Sequence, residues 1–285
     1  MKKVAVINDL SGFGKCSLTA AIPVLSALGV TCCPLPTAVL SNQTGYSRYY
    51  CQDLTDIIPQ YMSSWSANHA SFDAIYTGFV TGARQLDMIS DFLHVFLKED
   101  TFLLVDPVMG DDGAVYSIFT EELLEKMRRL SMRASLITPN LTEAALLAGK
   151  SADAVWKYTS RHDLLDFAQE LGEKLRQQAA VSQDVIITGI KSKEEKDPNI
   201  YNLAVTGDGH FVCQSHFFDR SFSGTGDLFA SVLCGCKVQG MDTKQAMEVA
   251  GQFLLHGIED TMKESLPVEE GILFEKYLCD LTGLF

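Results

Sequence analysis

Residues 101–111 read TFLLVDPVMGD, a short apolar run typical of a buried strand, closed by a polar turn at Asp106-Pro107. Residues 134–143 read ASLITPNLTE and repeat that design, with Pro139-Asn140 ending the apolar run. Segments of helical period lie between such runs, and strands that alternate with helices in this way are typical of a parallel sheet. The two stretches therefore predict an α/β fold.

The same alternation continues along the chain. Strands are predicted over residues 3–7, 30–35, 73–77, 101–105, 134–138 and 184–188, and helices over 17–28, 54–69, 85–98, 120–132, 164–178, 226–238, 243–263 and 269–281. The runs 201–205 and 210–214 flank the turn sequence TGDG, which predicts an antiparallel hairpin. Because no repeat, linker or low-complexity tract interrupts the pattern, we expect one domain over residues 1–285.

Composition argues against several classes of protein. The 285 residues include 23 basic and 36 acidic side chains, for a formal net charge of −13. Nucleic acid requires a clustered basic face, whereas the short basic run at residues 126–133 is typical of a solvated helix surface. Eight Cys without a C-x-x-C pair and six scattered His predict no structural metal. With no signal peptide or bilayer-spanning stretch, we expect a cytoplasmic protein that binds neither nucleic acid nor membrane.

The glycine-rich run SGFGKCS at residues 11–17 resembles two nucleotide-binding motifs and completes neither. A P-loop requires Gly where Asp9 stands and Ser or Thr where Cys16 stands. A dinucleotide fingerprint requires Gly where Ser17 stands, which argues against a dinucleotide oxidoreductase. What remains is a tight strand-to-helix turn beside Asp9.

Residues 221–230 read SFSGTGDLFA and carry the strongest functional signal. Gly224 and Gly226 flank Thr225 at the start of an apolar helix, where free backbone amides and the helix dipole favour a bound anion. Asp227 lies in the first turn of that helix. It supplies either N-terminal charge alone or a base beside a bound phosphate, and the residues leave both roles open.

Two acidic side chains follow the strands quoted at the outset. Asn140 and Glu143 form an Asn-x-x-Glu capping box, which by itself would only start a helix. The functional alternative is that Glu143 and Asp106, at neighbouring strand ends, hold hydrated Mg²⁺ on nucleotide phosphates. Ligands of open parallel sheets bind beyond the carboxyl ends of the strands, where both residues are expected.

Taken together and in this order, the motifs resemble the ribokinase-like superfamily, specifically its vitamin B6 kinase branch. They are DPVMGD at 106–111, TPNLTE at 138–143 and GTGDLFA at 224–230, with SNQTGY at 41–46 and YTG at 76–78 typical of the B6 branch. The resemblance covers roughly residues 4 to 260. It implies a three-layer α/β/α sandwich with a mainly parallel central sheet, and a homodimer.

The resemblance also implies ATP-dependent phosphorylation of the 5′-hydroxymethyl group of pyridoxal, pyridoxamine or pyridoxine. Asp227 would be the general base, and the amides of Gly224, Thr225 and Gly226 would form the anion hole. The implied nucleotide-side residues are Asn140, Glu143, Thr188, Asp111 and Tyr116; Asp106 and Glu143 would bind Mg²⁺, and a monovalent cation such as K⁺ is a further candidate cofactor. The implied substrate-binding residues are Asp9, Gln43, Thr44, Phe79 and Asp227, and residues 41–53 would cover the site.

The chain departs from this branch at positions that face the substrate. Familiar members carry a Ser-His pair near Asp9-Leu10, His where Gln43 stands, and often Tyr where Phe79 stands. The preferred vitamer therefore stays open, and the nearest alternative is a hydroxymethylpyrimidine kinase of thiamine synthesis, which shares the fold and the phosphate machinery. A catalytically silent nucleotide-binding regulator is a third hypothesis, disfavoured because Asp227 and both acidic residues are present.

Overall fold

The computed structural model describes residues 1–194 and 196–285, and over these residues the fold is α/β with a nine-stranded, mainly parallel central sheet. The strands are β1 (Lys3–Ser11), β2 (Thr31–Leu40), β3 (Cys51–Asp53), β4 (Ala74–Thr77), β5 (Phe102–Val105), β6 (Gly110–Asp111), β7 (Ala114–Val115), β8 (Leu136–Ile137), β9 (Asp184–Lys191), β10 (Asn199–Thr206) and β11 (Gly209–His216). The helices are α1 (Ser17–Ala27), α2 (Ile58–Ala67), α3 (Ala83–Phe96), α4 (Glu121–Ser131), α5 (Leu141–Leu147), α6 (Arg161–Gln178), α7 (Thr225–Val238), α8 (Thr243–Glu264) and α9 (Leu278–Leu281). The strand order is β11-β10-β9-β8-β5-β4-β1-β2-β3, and β6 pairs with β7 in a separate hairpin.

The chain divides into two compact units, Met1–Leu103 with Asp219–Phe285, and Leu104–Phe218. In the first unit, β1 is parallel to both β2 and β4, and β3 pairs antiparallel with the end of β2. In the second unit, β8 is parallel to β5 and β9, whereas β10 is antiparallel to β9 and β11. The predicted mainly parallel sheet and the predicted hairpin are confirmed, and the single domain stays a prediction.

The core of the first unit is built on β1 and α7. Val4, Ala5, Val6 and Ile7 are all fully buried, as expected for a parallel strand covered on both faces. In α7 the thiols of Cys234 and Cys236 are likewise buried, and burial raises the pKa of Cys236 to about 12. The interpretation of these cysteines as small buried side chains is confirmed.

In the second unit, Lys126, Arg128 and Arg129 of the basic run lie on α4, and Arg133 follows the helix. Lys126 forms an ion pair with Glu122 and Arg129 with Glu125, each at i,i+4 spacing. These pairs are typical of a solvated helix face rather than of a basic face open to phosphates.

Among residues 1–194 and 196–285, no helix is both long enough and apolar enough to cross a bilayer.

Several strands, among them β1 and β2, run further than their apolar runs suggested. β1 continues to Ser11 and β2 to Leu40, because their pairing resumes after a bulge, with Leu10 opposite Val39. Tertiary pairing thus extends strands past the point where the apolar pattern ends. Pro34 and Pro36 fit in β2 because β3 pairs only with Ala38–Leu40, so both prolines precede that ladder.

The predicted helix over residues 269–281 is wrong. The structure has short 3₁₀ turns at Val268–Glu270 and Glu275–Tyr277, and only Leu278–Leu281 is α-helical. Between the turns, Ile272 and Phe274 are buried, and the Ile272 carbonyl accepts a hydrogen bond from Lys15 Nζ at 3.1 Å. Burial against the rest of the unit therefore overrides the local helical period.

The β6–β7 hairpin was not predicted either, because two-residue strands carry no periodic signal.

Candidate active site

The candidate anion site is the start of α7 in the first unit. Gly224 precedes the helix with φ +78°, a left-handed conformation suited to glycine. The Thr225 hydroxyl donates to the Phe222 carbonyl at 3.0 Å, and the Ser223 N–H donates to the Val268 carbonyl at 3.0 Å. These bonds fix the loop, so that the first-turn amides of a 14-residue helix have a defined direction.

Asp227 lies in the first turn of α7, and its carboxylate is held by groups from the start of the chain. The Asn8 side-chain amide donates to Asp227 Oδ1 at 3.1 Å, and the Ser17 backbone N–H donates a further hydrogen bond. Burial, reinforced by the nearby Asp9 charge, outweighs these two donors and raises the pKa of Asp227 from 3.8 to about 6. A carboxylate with that pKa can serve as a proton acceptor near neutral pH.

Asp9 is buried on β1, and both of its carboxylate oxygens accept hydrogen bonds from serines. The Ser17 hydroxyl donates to Oδ1 at 2.5 Å, and the Ser11 hydroxyl donates to Oδ2 at 2.9 Å. Burial raises the pKa of Asp9, while the two hydroxyls oppose that rise. The Asp9 backbone N–H opposes the rise as well, but a carboxylate has about four lone-pair sites, so Asp9 has acceptor capacity left for a ligand.

The three other expected substrate residues differ in their surroundings. Gln43 is buried, and its amide donates to Ser223 Oγ and to the Glu269 carbonyl, both at 3.1 Å. Thr44 is exposed and Phe79 is half-buried. The Gln43 side chain therefore ties the segment 41–53 to the loop that precedes α7, whereas Thr44 and Phe79 stay accessible.

The second unit contains the acidic cluster. Glu143 is buried, its Oε1 accepts from the Met109 N–H at 2.9 Å, and its Oε2 accepts from the Asn140 N–H at 2.8 Å. Asn140 Oδ1 accepts from the Glu143 N–H at 3.0 Å, which completes the predicted capping box of α5. Beside it, Asp106 Oδ1 accepts from the Thr138 hydroxyl at 3.0 Å.

The chemistry of this cluster fits a divalent cation. Burial, followed by repulsion from Asp106, raises the pKa of Glu143 well above its usual range. Two buried carboxylates that repel each other are stabilised by a cation, and oxygen ligands suit Mg²⁺, which keeps several waters of its own. The capping and metal roles of Glu143 are therefore compatible, because the Asn140 and Met109 N–H groups together use only one lone pair of each oxygen.

The β6–β7 hairpin and the middle of β9 place the remaining nucleotide-side residues. Asp111 and Tyr116 are exposed, and the Tyr116 N–H donates to the Met109 carbonyl at 2.9 Å. The Asn140 amide donates to the Gly110 carbonyl at 2.7 Å, and Asn140 also forms an isolated bridge with Thr188. The second unit thus contains Asp106 after β5, Asn140 and Glu143 at the start of α5, and Thr188 within β9, and Asn140 contacts both Glu143 and Thr188.

Comparison with known proteins identifies the family. The family model described as phosphomethylpyrimidine kinase matches residues 14–272, most of the chain. The chain belongs to the phosphomethylpyrimidine kinase family. This family is ribokinase-like, so the resemblance seen in the sequence is confirmed at the level of the superfamily.

Three relatives illustrate which proteins this family member is similar to. The crystal structure of a candidate phosphomethylpyrimidine kinase from Bacteroides thetaiotaomicron, obtained with pyridoxal, is 37% identical with a TM-score of 0.89, over 98% of this chain and 95% of that one. Pyridoxal kinase from Ovis aries is 29% identical over 265 residues, 86% of this chain and 80% of that protein. The hydroxymethylpyrimidine/phosphomethylpyrimidine kinase of Bacillus subtilis is 29% identical over 195 residues, 67% of this chain and 65% of that protein.

Asn8 and Ser17 contact Asp227 in this family member, but neither was among the site residues predicted from the sequence. Asn8 contacts Asp227 across a separation of 219 residues, which no local pattern reveals. The available signal was positional, since Asn8 follows the apolar run of a predicted strand and Ser17 follows a glycine-rich turn. Ser17 also has φ +50°, a strained value for a serine and a frequent mark of functional sites.

Proposed function

We propose that the protein transfers the γ-phosphoryl group of ATP to the 5′-hydroxymethyl group of a vitamin B6 vitamer: pyridoxal, pyridoxamine or pyridoxine. The observation that carries the proposal is Asp227, a carboxylate with a pKa of about 6 in the first turn of a helix whose amides can bind an anion. The relatives named for pyridoxal, or crystallised with it, support the B6 ring as substrate.

Asp227 is the proposed general base. It accepts the proton of the 5′-hydroxyl as that oxygen bonds to the γ-phosphorus, while the bond from phosphorus to the bridging oxygen of ADP breaks. The backbone amides of Gly224, Thr225 and Gly226 stabilise the negative charge on the transferring group. The products are the vitamer 5′-phosphate and ADP, and the proton stays on Asp227 until it is released to solvent.

The acidic cluster of the second unit is proposed to bind Mg-ATP. Asp106 and Glu143 would hold the hydrated metal, which supplies charge neutralisation to the phosphates when bound. Asn140, Thr188, Asp111 and Tyr116 are the proposed neighbours of the nucleotide, and K⁺ is a candidate additional cofactor.

Asp9, Gln43, Thr44 and Phe79 are proposed to form the vitamer pocket, with residues 41–53 as its cover. For Gln43 this role is indirect, because both hydrogen-bonding groups of its amide already contact protein: Ser223 and Glu269 on one side, and the Gly45 N–H on the other. Asp9 is the side chain best suited to contact a polar ring substituent, since it is an acidic group with free acceptor capacity.

Hydroxymethylpyrimidine kinase is the second candidate function. The family description and the similarity to the Bacillus subtilis enzyme favour it. Both candidates phosphorylate a hydroxymethyl group on a nitrogen heterocycle, so Asp227 and its amides serve either reaction. The Bacteroides thetaiotaomicron protein is 37% identical to this chain and was crystallised with pyridoxal, whereas the Bacillus subtilis enzyme is 29% identical. This difference favours a B6 vitamer as the substrate.

Three further properties belong to the same proposal. We expect a single kinase domain over residues 1–285, a homodimer and a cytoplasmic location. Sedimentation of the purified protein would test the dimer, since a monomer at micromolar concentration contradicts it.

The experiment that tests the proposed function identifies the product. Each vitamer is incubated with Mg-ATP and the protein, and the phosphorylated atom is located by phosphorus–proton coupling in NMR, with Asp227→Asn protein as the background control. We expect phosphate on the 5′ oxygen of at least one vitamer. Phosphate on another hydroxyl, or ATP hydrolysis without a phosphorylated vitamer, would contradict the proposal.

A further inference from the structure

Asn8 lies on β1, and its side chain contacts the proposed base. It is fully buried, and its Nδ2 group lies 3.1 Å from Asp227 Oδ1. We infer that Asn8 is a positioning residue that aims the Asp227 carboxylate at the substrate hydroxyl. The inference rests on the proposed function, because it assigns Asn8 a role in the proton transfer to Asp227. Asn8 itself is expected to contact neither substrate nor nucleotide.

The direction of the Asn8 amide is determined by its surroundings. Its Oδ1 accepts from the Phe79 N–H at 2.9 Å and from the Asp9 N–H at 3.0 Å. Two backbone donors on one atom require that atom to be the oxygen, so the NH₂ group must point to Asp227. Asn8 can therefore act only as a donor towards the base.

Asn8 has no room to move away from this arrangement. Gly78 lies so close to it that a Cβ at position 78 would stand 2.3 Å from Asn8 Nδ2. Phe79, which follows Gly78, is itself one of the residues that hold the amide. The turn after β4 therefore restrains Asn8 in two ways: Phe79 donates a hydrogen bond to it, and the Gly78 backbone packs against its amide.

Ser17 holds the base from a second direction. Its backbone N–H donates to Asp227 while its hydroxyl donates to Asp9 at 2.5 Å. A serine at φ +50° is strained, and such strain persists only where surrounding contacts maintain it. The titratable groups that act on Asp227 are Asp9 on β1 and Cys16 before α1, and the Cys16 thiol stays protonated because burial raises its pKa to about 12.

The substitution Asn8→Asp tests this role with little change of shape. The new carboxylate can still accept from the Phe79 and Asp9 N–H groups, but its second oxygen meets Asp227 Oδ1 and cannot donate. The two carboxylates must then share a proton, as close acidic pairs do, and the pair holds that proton to a higher pH. We expect the acidic limb of kcat to move up by about one pH unit or more, and the plateau kcat to fall about 10- to 100-fold through loss of orientation.

The experiment measures kcat and KM against pH for the wild type, Asn8→Asp and Asn8→Ala, using Mg-ATP and the preferred vitamer. In parallel, carbon NMR of carboxyl-labelled aspartate follows the titration of Asp227 without substrate, with its signal assigned by its loss in Asp227→Asn. The matched control is Gln183→Glu, a buried amide that donates to the Ser131 and Ala134 carbonyls in the second unit. We expect this control to lower stability without moving the acidic limb.

An upward shift of both the kinetic limb and the NMR titration in Asn8→Asp, with KM changed less than threefold, supports the inference. A uniform fall of kcat at every pH, with the limb and the NMR titration unchanged, would show a structural role only and overturn it. If no vitamer is phosphorylated, the proposed function fails, and the NMR titration still decides whether Asn8 controls Asp227.

Discussion

The Gly224 backbone lies directly against the Lys15 carbonyl oxygen, so that a Cβ at position 224 would stand 1.9 Å from that oxygen. The loop that opens α7 thus rests on the turn that opens α1. The same turn supplies Ser17, which contacts both Asp9 and Asp227. The proposed anion hole, the base and its supports therefore form one packed assembly within the first unit.

The two glycines of the anion hole should respond differently to alanine. Gly224→Ala forces the two loops apart at a positive φ, and we expect it to lower the free energy of unfolding by more than about 2 kcal/mol. Gly226 has no atom within 4 Å of an added Cβ, so Gly226→Ala should stabilise the helix by roughly 0.5–1 kcal/mol. Because that open space is where the proposed phosphate approaches, Gly226→Ala should still lose activity.

Chemical denaturation and turnover of both variants check this contrast. Equal losses of stability in the two variants would contradict the packing argument. A fully active Gly226→Ala protein would show that the phosphate does not approach the backbone at this position.

Asp227→Asn should lower turnover and raise the free energy of unfolding. A carboxyl with a pKa near 6 in the folded protein and 3.8 when unfolded destabilises the fold by up to about 3 kcal/mol above pH 6. The penalty is absent below pH 3.8, grows as the pH rises towards 6 and is constant above that. We therefore expect Asp227→Asn to unfold at higher denaturant concentration at pH 8, with the gain vanishing near pH 4.

Turnover of this variant should fall by about 10²- to 10⁴-fold, the usual contribution of a general base. A variant that keeps most of its turnover would remove Asp227 from that role. A variant with no gain in stability at pH 8 would show that the carboxylate is not destabilised by burial.

The pH dependence of the wild-type protein should report the same carboxyl. Asp227 must be ionised to accept a proton, so kcat/KM should fall tenfold for each pH unit below about 6. Asp9, whose pKa is also raised by burial, would steepen the fall at lower pH. A profile that stays flat down to pH 4.5, measured with saturating Mg-ATP, would exclude a base of raised pKa.

Glu143→Gln should raise the requirement for Mg²⁺ and weaken the start of α5. One carboxylate oxygen becomes an NH₂ group facing either the Met109 N–H or the Asn140 N–H, at a cost of about 1–3 kcal/mol. Loss of one negative ligand should raise the Mg²⁺ concentration for half-maximal activity by about 10-fold or more. Asp106→Asn should show the same Mg²⁺ effect with a smaller loss of stability, since it caps no helix.

Titration of activity with Mg²⁺ at constant ATP separates the two roles of Glu143. If Glu143→Gln loses stability while its Mg²⁺ dependence stays that of the wild type, the residue serves only to cap α5. The exposed Glu125→Gln on α4 controls for a change of net charge.

Gln43→Leu should loosen the segment 41–53. It removes the hydrogen bonds to Ser223 and to the Glu269 carbonyl, each contributing about 0.5–1.5 kcal/mol. We expect the KM for the vitamer to rise about 10-fold and limited proteolysis within 41–53 to accelerate. The exposed Gln52, whose amide contacts the Tyr50 hydroxyl and the Asp53 carbonyl, provides the control Gln52→Leu. Unchanged KM and proteolysis in Gln43→Leu would show that these bonds do not restrain the segment.

The sequence predicted the parts of the fold that repeat and the parts of the site that lie in short motifs. Alternating apolar runs located the parallel strands, and the residues of GTGDLFA and TPNLTE gave the helix starts that the structure contains. The C-terminal segment was mispredicted because Ile272 and Phe274 are fixed by burial rather than by helical period. Asn8 and Ser17 were missed because their contacts with Asp227 exist only after β1, α1 and α7 are packed.

The most direct test of the central claim compares kcat/KM for pyridoxal, pyridoxamine, pyridoxine and hydroxymethylpyrimidine under identical Mg-ATP conditions, with Asp227→Asn as the blank. The proposed function predicts that at least one B6 vitamer is turned over with a higher kcat/KM than hydroxymethylpyrimidine. A higher value for hydroxymethylpyrimidine than for every vitamer, or turnover of none of the four, would contradict it.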